Sequence, residues 1–412
     1  MAFEKAQRDA VERVSPQRAV GLTSELVRLD SHNPPGRELA AARHLGERLD
    51  ALGLEVEIIP HGTGAAGAGE DQGSSDRATL LARLRGGGEQ PALVFAGHLD
   101  TVPPGASAWE RPVTSGEVAE GCVWGLGATD MKSGLGAMVE AVRAIKESGL
   151  PRRGDLLLVA TAGEEVDSLG AKELVRRGLL ADPGFFVIGE PTENGIVTAE
   201  KGVLWLRLRT VGRTAHGSLP HLGVNAIVKM GKVIEALQAL RLPHHPHPLL
   251  GGCTLNIGTI SGGVKTNIVP DACEISLDVR TVIGQSNEAV IAAIQAAIEQ
   301  LRGGDAELAA EVELIIDRPP VEVSPQAAAV QQFMAAHAEI TRRREQAQGA
   351  TFATDASVFI PATKAPMVIC GPGLPSKAHT PNEYVQIERL VEAARIYTLA
   401  GARYLAGAPA GR

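Results

Sequence analysis

The stretch of sequence that decides the fold reads LLLVATAGEE and covers residues 156–165. Its first part is a continuous apolar run, which is typical of a strand buried on both sides of a sheet. Two adjacent carboxylates, Glu164 and Glu165, follow where such a strand leaves the sheet. Neighbouring side chains on extended backbone point in opposite directions, so one carboxylate can bind a metal while the other moves protons. Taken alone, a solvated turn explains the pair better.

Other apolar strands end in the same way, and this repetition favours a functional site over a solvated turn. The polar residues that follow these strands are His98 after 92–96, Glu190 after 185–188 and His379 after 367–370. Asp130 opens a predicted helix nearby. Ligands of an open parallel sheet collect beyond the carboxyl ends of its strands, so we expect these side chains to meet there.

Histidine and carboxylate without cysteine is the ligand set of a catalytic zinc site. Two imidazoles and three carboxylates exceed what one open zinc site needs, but they suit two ions bridged by a carboxylate and about 3.5 to 4 Å apart. Asp100 lies two residues beyond His98 and could hold the second ring nitrogen of that imidazole. The four cysteines are scattered without a Cys-x-x-Cys pattern, so neither a thiolate zinc site nor a disulfide framework is indicated.

The length of 412 residues favours two folding units. From about Gly202 the strands alternate apolar and polar residues, which is typical of an antiparallel sheet with one solvated face. The order strand, helix, strand, strand, helix, strand predicts a split βαβ, ferredoxin-like domain that ends near Pro319. We therefore predict an α/β catalytic domain in two parts, 1–202 and 319–412, with a second domain, 203–318, inserted between them.

Composition excludes several classes of partner. The chain is 44% hydrophobic and 21% charged, which is typical of a globular protein. An aromatic share of 3% and a net charge of -8 disfavour a nucleic-acid partner. The first residues lack the apolar core of a signal peptide, and no later window is apolar enough to cross a bilayer. These features predict a cytoplasmic protein with neither a membrane nor a nucleic-acid partner.

Five short motifs carry a resemblance to a known family. They are GHLDTVP at 97–103, GLGATDMK at 125–132, GEE at 163–165, GEPT at 189–192 and AHTPNE at 378–383. In this order they resemble the signatures of the aminoacylase, acetylornithine deacetylase and succinyl-diaminopimelate desuccinylase family of co-catalytic zinc metallopeptidases. The resemblance implies a zinc-peptidase-like catalytic domain, with a mostly parallel sheet sandwiched by helices, and an inserted α+β domain that acts as a dimerisation or lid domain.

The resemblance also implies a role for each residue at the strand ends. These roles are His98 and Glu190 on one zinc, Glu165 and His379 on the other, Asp130 as the bridge, Glu164 as the general base and Asp100 as the partner of His98. Two zinc ions are the implied cofactors, and cobalt or manganese could replace them. Glu164 would take a proton from a shared water and hand it to the departing amine.

The inserted domain contributes one candidate catalytic residue, His216, and two candidate substrate-binding residues, Asn267 and Arg280. His216 matches the family's histidine that the partner subunit supplies to the tetrahedral oxyanion, which implies a homodimer. Without the resemblance, a loop histidine that caps the helix near Asn225 is the better explanation. Asn267 matches a related position. Arg280 could bind a substrate carboxylate, or it could be an exposed arginine paired with acidic neighbours, and the two interpretations are equally supported.

The choice of substrate depends on finer resemblances. Glu200-Lys201-Gly202 stands where desuccinylase-like members carry paired arginines, whereas the segment with Gly371 and Gly373, both assigned to substrate binding, looks nearer to acetylornithine deacetylase. The leading prediction is removal of an acyl group from a small N-acyl amino acid. A dipeptidase or carboxypeptidase acting on short peptides is the first alternative. A non-catalytic relative that binds peptides or amino acids is the second.

Overall fold

The computed structural model describes residues 2–62, 76–180 and 182–407. The helices are α1 (Ala2–Glu12), α2 (Pro16–Arg28), α3 (Glu38–Ala51), α4 (Ser133–Glu147), α5 (Leu169–Arg176), α6 (Ala226–Ala239), α7 (Asn287–Gly304), α8 (Ala328–Thr341), α9 (Ala356–Thr363) and α10 (Ile387–Ala406). The strands are β1 (Glu55–Pro60), β2 (Ala78–Leu84), β3 (Ala92–His98), β4 (Glu117–Ala119), β5 (Cys122–Trp124), β6 (Leu156–Thr161), β7 (Pro183–Ile188), β8 (Val197–Glu200), β9 (Gly202–Val211), β10 (Thr254–Gly262), β11 (Ala272–Thr281), β12 (Ala309–Arg318), β13 (Val321–Glu322), β14 (Gln348–Ala350), β15 (Met367–Ile369) and β16 (Tyr384–Gln386).

The chain divides into two compact units. The large unit comprises Met1–Thr198, Val323–Gln348 and Thr354–Arg412, and the inserted unit comprises Ala199–Glu322 and Gly349–Ala353. The inserted unit therefore also includes Gly349–Ala353, a short segment that lies beyond the predicted insertion 203–318.

The main sheet of the large unit runs in the order β1, β2, β6, β3, β7, β15, β8. Its four central strands, β6, β3, β7 and β15, pair in parallel, whereas β1, β2 and β8 add antiparallel pairings at the two sides. Every residue of β3 and β6 is buried, as their continuous apolar runs predict. The sheet is therefore mixed, and its parallel part is the central part that holds the strand ends of interest.

Helices cover this sheet and bury its apolar side chains. Both α4 and α10 pack against β3, α5 packs against β6, and α3 packs against β1 and β2. Residues next to one another in sequence fix the start of α2. The Ser15 hydroxyl accepts a hydrogen bond from the Arg18 backbone amide, and Pro16 occupies the first helical position. The α/β class predicted from sequence is confirmed.

The inserted unit has the predicted order of elements, β9, α6, β10, β11, α7, β12. Its antiparallel sheet runs in the order β10, β11, β9, β12. Alternate residues of β9 and β11 are buried beneath α6 and α7, so one face of the sheet forms the core and the other stays open. The period of two in the sequence arises from this one-sided burial.

Within residues 2–62, 76–180 and 182–407, no helix has the length and apolarity that a bilayer-spanning segment requires.

Candidate active site

Strand order brings the first site residues together. His98 is the last residue of β3, the Glu164-Glu165 pair follows β6, and Glu190 lies two residues beyond β7. Because β3 pairs in parallel with both β6 and β7, the three strands end at the same edge of the sheet. The separate segments of sequence therefore converge at one place.

Two clusters of possible metal ligands lie at this edge and share Asp130. One consists of His98, Asp130 and Glu190, and the other of Asp130, Glu165 and His379. In each cluster the ligand atoms lie within 4.8 Å of one another. The structure thus brings together all five residues that the resemblance assigns to metal binding.

Asp130 presents one carboxylate oxygen to each cluster. Its Oδ1 lies 3.1 Å from Nε2 of His98, and its Oδ2 lies 3.4 Å from Nε2 of His379. His98 Nε2 is also 3.6 Å from Glu190 Oε1, and His379 Nε2 is 3.1 Å from Glu165 Oε1. This arrangement is the one expected of a carboxylate that bridges two cations.

The buried carboxylates make the site strongly attractive to cations. Burial, together with the charge of Asp130, raises the pKa of Glu165 to about 7. Burial also raises the pKa of Glu190 well above its usual value. Hydrogen bonds to Asp130 and Glu165 raise the pKa of His379 to about 11. Carboxylates that resist ionisation next to imidazoles that retain protons indicate an excess of negative charge at the site.

These residues fit a pair of divalent cations. Glu164, Glu165, Glu190 and Asp130 carry four negative charges when ionised, which two divalent cations balance. Each cluster offers one imidazole nitrogen and two carboxylates, and cysteine is absent from both. Three protein ligands with room for a water or substrate is the arrangement of a catalytic zinc site. His98 and Glu190 would hold one cation, Glu165 and His379 the other, with Asp130 between them.

Glu164 is buried beside these clusters but belongs to neither. Its charge contributes to raising the pKa of both Glu165 and Glu190, so its carboxylate is near both. A carboxylate close to the metal ligands but outside their set is the arrangement that a general base requires.

Asp100 contacts more of the site than the sequence indicates. The nearest acceptor to His98 Nδ1 is the backbone oxygen of Asp100 at 2.8 Å, and the Asp100 carboxylate lies 3.6 Å from this nitrogen. The carboxylate also accepts hydrogen bonds from the backbone amides of Gly163, Glu164 and Glu165 at 3.1 to 3.2 Å. Asp100 therefore orients both the imidazole and the loop that carries the two glutamates.

Glu383 is a site residue that sequence reasoning did not assign. Its buried carboxylate accepts hydrogen bonds from the backbone amides of Thr129 and Asp130, at 2.8 and 3.0 Å. Burial and the charge of Asp130 raise the pKa of Glu383 to about 8. The residue belongs to the AHTPNE motif, so the motif marked it, but only the folded chain shows that it holds the turn bearing Asp130.

Gly371 and Gly373 lie against the backbone of the metal-binding segments. A Cβ atom on Gly371 would stand 2.1 Å from the backbone oxygen of Gly189, next to Glu190. A Cβ atom on Gly373 would stand 2.3 Å from the backbone oxygen of Thr129, next to Asp130. Their contacts give both glycines a packing role beside the site, in addition to the predicted substrate role.

We expect Gly373→Ala to weaken both the fold and cation binding. Relieving the clash with Thr129 must shift the turn that bears Asp130, at a cost of about 1 to 3 kcal/mol in the free energy of unfolding. Gly21→Ala in α2 is the control, because a Cβ atom there meets nothing within 4 Å and should stabilise the helix by about 0.5 to 1 kcal/mol. Thermal unfolding and zinc titration of both variants measure these effects; equal behaviour of the two would contradict the packing role.

The predicted catalytic residue His216 and the predicted substrate-binding residue Asn267 lie close together within the inserted unit. His216 forms an isolated β-bridge with Ile268, and the Gly217 amide donates to the Asn267 backbone oxygen at 2.8 Å. His216 is exposed, and its Nδ1 lies 2.7 Å from the Ser218 hydroxyl. The cap of α6 is instead Asn225, whose own side chain accepts from the Val228 amide.

Arg280 already has a carboxylate partner on its own strand. Its guanidinium donates two hydrogen bonds to Asp278, at 2.8 and 3.0 Å. This contact corresponds to the alternative in which Arg280 pairs with an acidic neighbour. Binding of a substrate carboxylate would have to compete with Asp278.

Comparison with known proteins gives relatives along nearly the whole chain. Acetylornithine deacetylase of Vibrio cholerae is 30% identical over 387 residues, which cover 93% of this chain and 96% of that protein. A protein of Staphylococcus aureus described as a probable succinyl-diaminopimelate desuccinylase is 26% identical over 420 residues, covering 95% and 98%. The crystal structure of a tripeptidase from Staphylococcus aureus superimposes with a TM-score of 0.72 at 26% identity, covering 94% and 98%.

The fold and the two ligand clusters define a metal-dependent hydrolase that acts on amide bonds. Residues 94–402 match the model of peptidase family M20/M25/M40, and the chain belongs to this family. The resemblance recognised from the five sequence motifs is thereby confirmed.

Proposed function

We propose that this protein is a dinuclear zinc-dependent amidohydrolase that removes the acyl group from an N-acyl amino acid. The observation that carries the proposal is the pair of clusters that share Asp130, with Glu164 buried beside them and outside the ligand set. Cobalt or manganese could serve in place of zinc, because the ligand set of imidazole and carboxylate suits all three ions.

Each residue has a distinct task in this reaction. Two cations held by these residues would supply Lewis acidity to a water molecule and to the acyl carbonyl. Glu164 would accept a proton from water as the water oxygen adds to the acyl carbon, and would donate it to the amine nitrogen as the C–N bond breaks. Asp100 and Glu383 hold the loops that bear Glu164 and Asp130. His216, contributed by a second copy of the chain, would donate a hydrogen bond to the tetrahedral oxyanion.

Two substrate classes are supported by different relatives. The acetylornithine deacetylase from Vibrio cholerae, at 30% identity, favours an N-acyl amino acid. The Staphylococcus aureus tripeptidase, at 26% identity, favours a short peptide as the second candidate. Both reactions cleave an amide bond with the same cations and base, so the choice between them depends on groups that bind the remainder of the substrate.

A substrate panel on metal-reconstituted protein tests the proposal. N-acetyl, N-formyl and N-succinyl amino acids form one arm, dipeptides and tripeptides form the other, and release of a free amine is measured with zinc, cobalt and manganese. Turnover of acylated amino acids at the higher kcat/KM supports the deacylase. Turnover of peptides alone contradicts it in favour of a peptidase, and binding without turnover in either arm indicates a non-catalytic relative.

We also propose that the protein forms a homodimer through the inserted unit. In support, β10 is an edge strand whose end carries exposed apolar residues: Ile260 is 60% exposed, and Val264 just beyond it is 91% exposed. An exposed apolar edge strand favours pairing with a second chain. His216, the predicted trans-acting histidine, bridges to Ile268 in the segment that follows this strand.

We expect the double variant Ile260→Asp/Val264→Asp to be a monomer of low activity. One charge near the end of the edge strand and one just beyond it oppose pairing of the strand, and a monomer lacks a second copy's His216. Light scattering after size-exclusion chromatography measures the mass, and Leu314→Asp on the opposite edge strand β12 is the matched control. A wild-type monomer, or a dimer that survives both charges, would exclude this interface.

A further inference from the structure

A largely buried ionic cluster lies next to the loop 163–168, outside the sets of residues assigned above. It consists of Arg77 just before β2, Glu38 in the first turn of α3 and Asp167 in the loop. Arg77 Nη2 lies 3.3 Å from Asp167 Oδ1, and Arg77 Nε lies 3.5 Å from Glu38 Oε1. The Glu38 side chain is fully buried, that of Arg77 is 12% exposed and that of Asp167 is 23% exposed, so water screens the Arg77–Glu38 pair least.

The guanidinium also lies directly against the backbone of the loop. A Cβ atom on Gly163 would stand 2.1 Å from Arg77 Nη2 and 2.5 Å from Asp167 Oδ1. Gly163 adopts a φ of +79°, a left-handed conformation that glycine tolerates without strain. Only a residue without a side chain therefore permits this close approach of Arg77 to the loop.

Asp167 connects Arg77 to the rest of the loop through hydrogen bonds. Its Oδ1 accepts a hydrogen bond from the Leu169 amide at 3.0 Å, at the start of α5. The Gly163 backbone oxygen accepts the amides of Val166, Asp167 and Ser168, so the loop is a closed turn. Moving Asp167 would consequently move the turn whose second and third residues are Glu164 and Glu165.

We propose that Arg77 is a positioning residue, which anchors the loop 163–168 and thereby fixes Glu165 as a metal ligand and Glu164 as the base. Asp100 anchors the backbone amides at the start of the loop, and Arg77 anchors its end through Asp167. A guanidinium suits this task because its planar fork reaches two carboxylates and packs flat against a glycine. The inference rests on the proposed two-cation site.

The two ligand clusters depend on the loop to different extents. The cluster of Asp130, Glu165 and His379 takes one ligand from it, whereas the cluster of His98, Asp130 and Glu190 takes none. Loosening the loop should therefore weaken one cation site selectively. A general loss of stability would affect both sites alike.

The test compares Arg77→Met with Arg83→Met. Arg83 lies on β2, forms an ion pair with Asp155 at 3.4 Å and is 24% exposed, so it controls for the loss of a half-buried arginine. Zinc titration against a chromophoric chelator counts the tight sites, and hydrogen exchange of the 163–168 amides reports the order of the loop. For Arg77→Met we expect one site to weaken by about 10- to 100-fold, with kcat falling by a similar factor and KM changing little.

The zinc affinity of the weakened site and the kcat of Arg77→Lys should lie between those of Arg77→Met and wild type. Lysine keeps the positive charge but lacks the planar guanidinium that reaches two carboxylates. If Arg77→Met does not fold, Asp167→Asn decides, since it loosens the loop and leaves the Glu38 ion pair intact. Two tight sites, unchanged exchange and wild-type kcat in the deciding variant would overturn the role of Arg77. Fewer than two tight sites in the wild-type protein would instead contradict the proposed function.

Discussion

The Glu164→Gln variant is expected to lose hydrolysis by about 10²- to 10⁴-fold while it still binds two cations. Glu164 lies outside both ligand clusters, so the amide substitution leaves every metal ligand in place. The amide cannot accept the proton of water at neutral pH, and the reaction therefore loses its base. Initial rates with the best substrate of the panel and zinc content per chain measure the two parts of this prediction.

Glu193→Gln is the control for this experiment. Glu193 lies in the turn that follows Glu190, and its carboxylate is 3.5 Å from Arg389 at the surface. Replacing the Glu193 carboxylate by an amide should leave the rate of hydrolysis and the zinc content per chain near the wild-type values. A Glu164→Gln protein that hydrolyses substrate at the wild-type rate would remove Glu164 from the proposed mechanism.

Asp130→Ala is expected to lose both cations and all measurable hydrolysis. Asp130 gives Oδ1 to one cluster and Oδ2 to the other, so its removal deletes a ligand from each site at once. Loss of a direct ligand should weaken each site by more than the 10- to 100-fold expected for an outer partner, about 100-fold or greater. Metal analysis after dialysis against buffered zinc gives the stoichiometry.

The His379→Ala variant shows how the loss of a ligand to one cation differs from the loss of Asp130, the proposed ligand to both. His379 belongs to the cluster with Glu165, so its removal should weaken that site and leave the His98 site filled. Metal-free His379→Ala should unfold at a lower temperature than metal-free wild type, since it loses the ion pairs of His379 with Asp130 and Glu165 at 3.4 and 3.1 Å. If Asp130→Ala retains two cations, or if His379→Ala loses both, then Asp130 does not bridge the sites.

The contacts that organise the site were only partly visible in the sequence. The residues at the strand ends are predictable from their positions, because a fully apolar strand and the polar residue after it are neighbours along the chain. The contacts of Glu383 and Arg77, by contrast, cannot be predicted from neighbouring residues. Glu383 binds amides more than 250 residues away, and Arg77 reaches Asp167 across 90 residues. No local pattern encodes such a separation.

The fold, like the site, is only partly predictable from the sequence. The period of two in β9 and β11 predicted the one-sided sheet of the inserted unit, and burial follows this period. The sequence did not indicate that β2 runs antiparallel to β6, nor did it reveal helix α8. Strand direction depends on which segments meet across the sheet, and that choice is made by packing of the whole unit.

The sequence by itself determined which segments are buried strands, which polar residues follow them and to which family the chain belongs. These properties follow from side-chain type and spacing over a few residues, and from five short motifs. Tertiary structure alone decided that Asp130 turns one oxygen to each cluster, that Asp100 holds the glutamate loop and that Arg77 contacts Gly163. Each of these contacts joins segments far apart in sequence, and they form only when the strands of the large unit pack together.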